Sequence, residues 1–421
     1  MSLVCVTREV ADPGPLLDRV PARHGLVWVQ GRDGLVGAGT ALRVDAPPTA
    51  DRVVLAEERF RAFVDDLTVE DHVRAPGTGP VALGSFTFAD HAVGSVLVVP
   101  EVVVGRRGTT SWVTRIGPRD QVEAAFAADP LPPASHPEHD PAADRPRHAG
   151  ASIPDVRWLE AVAAAIDRIE LGEVEKVVLA RDVAVWAEAP FDVRVLARRL
   201  HARFPGCATF SIDGLVGASP ELFVELTGRH LTSTSLAGTA PRSQDPDEDA
   251  ELGARLLASD KDRHEHALLV DEVAAQLEGR LAAVSHGEEP HLLKLDNVQH
   301  LATRFVGELT DDDPASALVL AAWLHPTPAV GGVPRGAALA LIEELEGLDR
   351  GRYAGPVGWV DAEGDGQWAI ALRCAEVHGA RARLFAGAGV VDASLPEAEL
   401  EETRVKLRAM RSAFAGEPTG P

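Results

Sequence analysis

Short apolar runs broken by glycine turns dominate residues 1–128, as in GLVWVQGRDGLVGAGTALRV and GSVLVVPEVVVGRRGTTSWVTRI. This spacing predicts antiparallel strands joined by tight turns, with one helix interrupting them around Ala56 to Leu67. The pattern then breaks. Residues 129–152, DPLPPASHPEHDPAADRPRHAGAS, are dense in Pro, His and Asp and are expected to form a surface connection without regular structure.

Beyond that connection Asp155 follows a proline, where it can cap a helix carrying Trp158, Val162, Ile166 and Ile169. VEKVVLARDVAVWA reads as a strand, Phe191 to Phe204 as a helix, and CATFSIDGLVGASPELFVELTGRHLTSTSLAGT as a meander turning at Asp213-Gly214 and Thr227-Gly228. Helices are predicted over Ser259 to Leu281, Ala315 to Leu324, Arg335 to Leu345 and Pro396 to Phe414. Three strands are predicted in GPVGWVDAEGDGQWAIALRCAEVHGARARLFAGAGVV. Meanders interleaved with long helices point to an α+β or mixed α/β fold and away from a doubly wound Rossmann sheet.

Composition bounds what such a chain can do. Its 421 residues, 45% of them hydrophobic, suffice for a sizeable core in one large domain or two to three ordinary ones. Lys plus Arg number 41 against 64 Asp plus Glu, a formal net charge of −23, which argues against a nucleic-acid or anionic-membrane partner. Any anionic ligand therefore needs a local cluster of cations. Cys5, Cys207 and Cys374 are far apart and outside CxxC or metal-ligand spacing, as suits a reducing compartment. The start MSLVCVTREV lacks signal-peptide character, and no apolar run approaches the ~18 residues of a membrane span. A soluble, cytoplasmic protein is expected.

Several residues violate the pattern of their own element. In SDKDRHEHALLVDEVAAQLEGRL, Leu269, Val273, Leu277 and Leu281 recur every fourth position, and the same step back from Leu269 lands on Glu265. In PEAELEETRVKLRAMRSAF, Glu402 shares a face with Ala398, Val405 and Ala409, opposite Leu400, Leu407, Met410 and Phe414, and is expected to point at protein, with Lys406 one turn beyond. A lone buried carboxylate is costly unless paired, hydrogen-bonded or metal-bound. Two inward glutamates suit Mg²⁺, which accepts one or two carboxylates and fills its octahedron with water and ligand oxygens; pairing with arginine is the alternative. Lys176 shares a strand face with Val174, Val178 and Ala180, where a desolvated amine can act as a base, although most strand lysines snorkel. Glu221, in Ser219-Pro-Glu, has no periodicity behind it and reads as a turn residue. GAGVVD, from Gly387, lacks the third glycine of a dinucleotide fingerprint and reads as a turn offering N–H groups to an anion. His264-Glu-His266 is not a zinc arrangement, because positions two apart face different sides of a helix.

Taken in order, VEKVVLAR, GASPELF, STSLAGTAPR, SDKDRHEH, NVQHLAT, LHPTPAVGG, RYAGPVGW, AIALRCAEV and AGAGVV followed by EETRVKL resemble the chorismate-utilising enzymes, and most closely the isochorismate synthases. The likeness spans roughly residues 152 to 412. It implies one large α/β (α+β) domain, an antiparallel β-sandwich flanked by helices. It also implies that Lys176 activates water for attack at C2 of chorismate, that Glu221 protonates the departing C4 hydroxyl, and that Glu265 and Glu402 hold Mg²⁺ with Glu399 in support. Gly238, Thr239, Ala329, Arg373, Gly387 and Lys406 are expected to line the substrate site, with Tyr353 near the enolpyruvyl group.

Within that resemblance the relatives differ in nucleophile. Anthranilate synthases lack the lysine that Lys176 matches, and aminodeoxychorismate synthases carry a nucleophilic lysine where this chain has Ala237. Salicylate synthases keep both base and acid but typically have threonine at the position of Ala329. The implied activity is isochorismate formation for menaquinone or siderophore routes, with salicylate synthase as the alternative, no amidotransferase subunit and a monomeric chain.

Overall fold

The computed structural model describes residues 3–22, 25–134, 145–294, 298–310 and 315–415. Its strands form two large sheets, one of 13 strands and one of 10, and every pairing among the described residues is antiparallel except that of Val4–Glu9 with Thr68–Asp71. Both halves of the chain enter both sheets. In the larger sheet the junction is Ala208–Ile212 beside Leu26–Gln30, with Phe210 opposite Trp28; in the smaller it is Pro356–Asp361 beside Val81–Ser85. The alternation of residues 1–128 thus supplies edge and flank of a sandwich whose other strands come from beyond residue 146.

Between the sheets lies the main core, with Trp28, Phe86, Phe210, Phe305 and Trp368 fully buried. A second core lies on the outer face of the larger sheet, where the helix Val193–Arg203 contributes Leu196 and Leu200 and the helix Pro396–Ala415 contributes Leu407, Met410 and Phe414. These positions recur at helical spacing, so one stripe of each helix is buried and the opposite one is left for solvent or a site. The helix Asp260–Leu277, N-capped by the Ser259 side chain accepting from Asp262 N–H, packs on the strand His230–Pro241 of the smaller sheet.

Five sequence expectations change. Residues 129–152 are not wholly irregular: Arg147–Gly150 is a strand pairing with Lys176–Trp186, while residues 135–144 lie outside the described residues. Asp155 does not cap its helix; its carboxylate accepts from Arg181 and, at 2.8 Å, from Arg404, because two guanidiniums compete with the backbone for it. The helix predicted to Leu281 ends at Leu277, and Leu281 opens the strand Leu281–His286 beyond Gly279, whose φ is +75°. GPVGW to GAGVV makes four strands, not three, since Cys374–His378 forms a separate hairpin with Arg381–Val390. GAGVV is no turn: Gly387 and Gly389 lie within the strand Arg381–Val390, opposite Ala180 and Val178. A helix passed over by pattern alone, Pro246–Ala258, is capped by Asp245 accepting from Asp247 and Glu248 N–H.

Candidate active site

All twelve residues singled out for the site, Glu399 included, line one cavity of about 410 Å³, reached from both sheets and two helices. It is not the largest: a cavity of about 880 Å³ lies elsewhere and contains none of them.

Lys176 opens the strand Lys176–Trp186, between Gly332–Val333 and Arg381–Val390, so its side chain is buried on entry. Its Nζ lies 2.6 Å from Glu265 Oε1. Space for that contact comes from Gly389, where a Cβ would stand 3.1 Å from Lys176 Cε and 3.6 Å from Glu265 Oε1. Burial opposes ionisation of Glu265, but Lys176, with Lys261 and Lys406 behind it, outweighs burial and holds the carboxyl below its usual range.

Glu221 sits where the chain leaves the larger sheet, after the strand Leu215–Ser219, and enters the smaller one as Leu222–Thr227. That crossing explains its lack of periodicity. Its backbone is pinned on both sides, with N–H donating to Ser219 Oγ at 3.2 Å and carbonyl accepting from Ile370 N–H at 3.0 Å. Burial pushes its carboxyl up to about 7, with Lys176 pulling the other way, so the two groups feel each other across the cavity.

Gly238 lies at a bulge in the pairing of His230–Pro241 with Val298–Leu309, at φ +65°, where a Cβ would come within 3.2 Å of Asp262. Thr239 Oγ1 and His300 Nδ1 are 3.1 Å apart. Tyr353 stacks on Phe385, rings 5.2 Å apart and 8° from parallel, with its hydroxyl near Gly387; burial raises its phenol above the usual range. Arg373 holds φ +43°, uncommon for a residue with a Cβ, and its Nη1 is buried without a hydrogen-bond partner among the described residues. Ala329 lines the same wall. Lys406 Nζ donates to the Gly387 carbonyl at 2.9 Å and to Glu402 Oε1 at 2.6 Å.

Glu402 departs from expectation. Its side chain is 45% exposed and looks into the cavity mouth, not at protein, because its neighbour on that face, Val405, is itself exposed. Glu399, one turn earlier, is the buried carboxylate of this helix; burial raises its pKa, and Glu402 adds to the effect. Among the described residues neither Glu265 nor Glu402 pairs with arginine; each takes a lysine. His266, not Glu265, heads the buried stripe of its helix, with Nε2 2.8 Å from Thr303 Oγ1. His264 is exposed.

Among the described residues no three Asp, Glu, His or Cys side chains converge on a ready-made metal cage. The donors around the cavity are nonetheless of the hard-oxygen kind, with Asp262, Glu265, Glu399 and Glu402 all on its wall. Two carboxylates completed by water and ligand oxygens fit a Mg²⁺ ion better than a closed protein cage would.

Pattern reading missed Lys261, Asp262 and His300, which also line the cavity. His300 buries Nε2 without a partner among the described residues, and burial and Arg373 hold its imidazole at about 4. NVQHLAT carries it in a strand that also holds Gln299, Thr303 and Arg304, so it has no contrast with its neighbours to mark it.

The chorismate binding enzyme family matches residues 15–415, and the chain belongs to that family of enzymes. A Mycobacterium tuberculosis protein, to which the name isochorismate synthase MenF is given provisionally, is 40% identical over 387 residues, 88% of this chain and 97% of that one. The isochorismate synthase EntC of Escherichia coli is 42% identical over 269 residues, covering 62% and 68% of the two chains. The solved menaquinone-specific isochorismate synthase MenF of Escherichia coli superposes with a TM-score of 0.80 over 98% of this chain and 94% of its own, at 23% identity, a likeness of fold. Among the described residues no helix is long and apolar enough to cross a membrane.

Proposed function

We propose that this chain is an isochorismate synthase, interconverting chorismate and isochorismate. The observation that carries the reading is the pairing of opposites in one cavity: a buried lysine from the larger sheet and, at the crossing to the smaller one, a buried carboxyl whose pKa of about 7 keeps it partly protonated at neutral pH. Acid and base whose environments set them apart are what the reaction needs. Lys176 reacts as the free amine, its ammonium proton having passed to solvent beforehand: it takes a proton from water as the water oxygen bonds to ring C2, the ring double bonds shift, the C4–O bond breaks, and Glu221 delivers its proton to the leaving hydroxyl. One water enters and one leaves, so substrate and product are isomers.

Arg373 and Lys406 are the cations for the substrate carboxylates, with Gly238, Thr239 and Gly387 providing room and backbone. Tyr353 and Ala329 are the proposed walls beside the enolpyruvyl group. Glu265 and Glu402, with Glu399 in support, would hold Mg²⁺, which when bound would fix the ring carboxylate and offset its charge. Ala237 stands in the cavity wall where covalent capture would call for a lysine, and water as nucleophile needs no amidotransferase partner.

Incubating the purified chain with chorismate, with Mg²⁺ or with EDTA, and separating the products tests the reading. Isochorismate without salicylate is expected, and only with the metal. Salicylate plus pyruvate as the main product, or anthranilate on adding ammonium, would overturn the reading, and turnover unaffected by EDTA would overturn the metal assignment.

A further inference from the structure

The larger cavity, about 880 Å³, lies between the start of the helix Arg52–Asp65, the loop 86–93 and the helix Arg335–Leu345. Arg52, Arg335 and Arg350 line it, and all three bear on His325, whose imidazole is held at about 3 chiefly by burial and further by their charges. Among the described residues only Arg350 has an ion-pair partner, Glu346 at 2.6 Å. Arg52 is 7% exposed, donates Nη2 to the Thr87 carbonyl at 3.1 Å, and buries Nε with no acceptor among the described residues. Arg335 donates to the carbonyls of Trp323, at 3.3 Å, and His325. Among the described residues neither has a carboxylate within ion-pair distance, and the cavity's other acids, Asp90, Glu343 and Asp349, are exposed at its rim. Asp90 acts on Arg52, and Glu272 on the half-buried Arg335, only from beyond that distance; a buried cation as thinly compensated as Arg52 is costly unless an anion joins it.

One wall is aromatic. Phe88 stands edge-on to His325, ring centres 5.7 Å apart, and lies 4.1 Å beneath the Arg350 guanidinium. The floor is shared with the reaction cavity. Arg350 lines both, donating to the carbonyls of Val178 at 2.7 Å and Val330 at 2.8 Å, while Glu346 accepts from Ala180 N–H at 2.7 Å. Val178 is two residues from Lys176 on the same strand.

We propose that this cavity is a second ligand site, for a small carboxylate carrying a flat ring, with the carboxylate between Arg52 and Arg335 and the ring against Phe88. An apolar concavity with a few convergent polar groups is the usual form of such a site, and guanidinium the usual partner of carboxylate. The Arg350–Glu346 pair is its mechanical link to the strand that bears Lys176. The assignment does not depend on which reaction the smaller cavity runs.

Benzoate is a suitable probe, titrated calorimetrically into the full chain in EDTA. Saturable binding is expected, weakened about tenfold or more by Arg52→Gln and by Arg335→Gln, the loss of one charge-assisted contact, and unchanged by Arg373→Gln in the reaction cavity. Ala340→Phe keeps both guanidiniums but places a ring in the cavity, and should block binding while the thermal unfolding midpoint holds; it separates loss of the pocket from loss of the fold. Acetate should bind far more weakly. Benzoate binding that survives Arg52→Gln, Arg335→Gln and Ala340→Phe but not Arg373→Gln belongs to the reaction cavity and overturns the proposal, as does an absence of saturable binding. Acetate binding as tight as benzoate overturns the role of the ring.

Discussion

The reaction cavity holds two lysine–glutamate pairs with the same 2.6 Å contact at different depths. Lys176 and Glu265 have side chains 4% and 18% exposed; Lys406 and Glu402 have 35% and 45%. At the mouth, water and salt screen the pair, which is worth about 0–1 kcal/mol. On the floor both ions have given up most of their hydration, and each depends on the other. Depth follows from the element that carries the lysine: Lys176 enters on a strand flanked on both sides, whereas Lys406 rides a helix laid over the sheet. The same chemical pair thus serves as a committed arrangement in one place and an adjustable one in the other.

The largest test of this difference is turnover. Lys176→Ala should lower kcat by about 10²–10⁴-fold, the range for losing a positioned general base. Lys406→Ala should raise KM by about tenfold, one charge-assisted contact to substrate, with kcat less affected. Steady-state kinetics with chorismate would reverse the comparison if Lys406 proved the more damaging loss in kcat.

Glu221 supplies the second test, since the acid opposite Lys176 has no counterpart at the mouth. Only its protonated form can deliver a proton to the leaving hydroxyl, so kcat should fall as pH rises through about 7. Glu221→Gln should lower kcat by about 10²–10⁴-fold and erase that limb of the profile. The sign for stability runs the same way. A carboxyl raised from 4.5 to about 7 favours the folded chain fully below about 4.5, and the contribution is lost as pH rises through 7.

Equilibrium unfolding in urea separates the pairs by a smaller margin. Lys176→Met leaves Glu265 without its close partner and should cost about 3 kcal/mol, the low end for an orphaned buried charge because Glu265 keeps some exposure. Adding Glu265→Gln should recover most of it. Lys406→Met should cost no more than about 1 kcal/mol. Equal costs would mean that depth does not distinguish the two.

How much of this was legible in the chain depends on whether a signal is local. Helix spacing placed Leu407, Met410 and Phe414 in the core, and Gly turns placed the hairpin at Asp213-Gly214, where both residues adopt positive φ. Lys176 stood out because a strand pattern has a definite face. Glu221 could not stand out, because it lies where the chain changes sheets, and no period spans that step. GAGVV read as a turn because glycine most often serves conformation; here the two glycines are strand residues kept small for what lies beside them. Glu402 was read as inward from its helical face, but what that face meets is an open cavity, which only the tertiary packing of the helix decides.

Gly389 gives the finest probe of the floor pair, because it alters neither ion. Its backbone is in ordinary strand conformation, so alanine there brings no left-handed strain, only a methyl 3.1 Å from Lys176 Cε and 3.6 Å from Glu265 Oε1. A lysine side chain can yield by a few tenths of an ångström, so the stability change should be below about 1 kcal/mol. Catalysis is less forgiving of displacement than folding is, since a positioned base loses rate steeply with misplacement. Gly389→Ala should therefore lower kcat by about tenfold while leaving the pH limb of Glu221 and the KM set by Lys406 where they were. A shift in KM alone, with kcat intact, would mean that the methyl disturbs the mouth of the cavity and that Lys176 is not held where the floor pair places it.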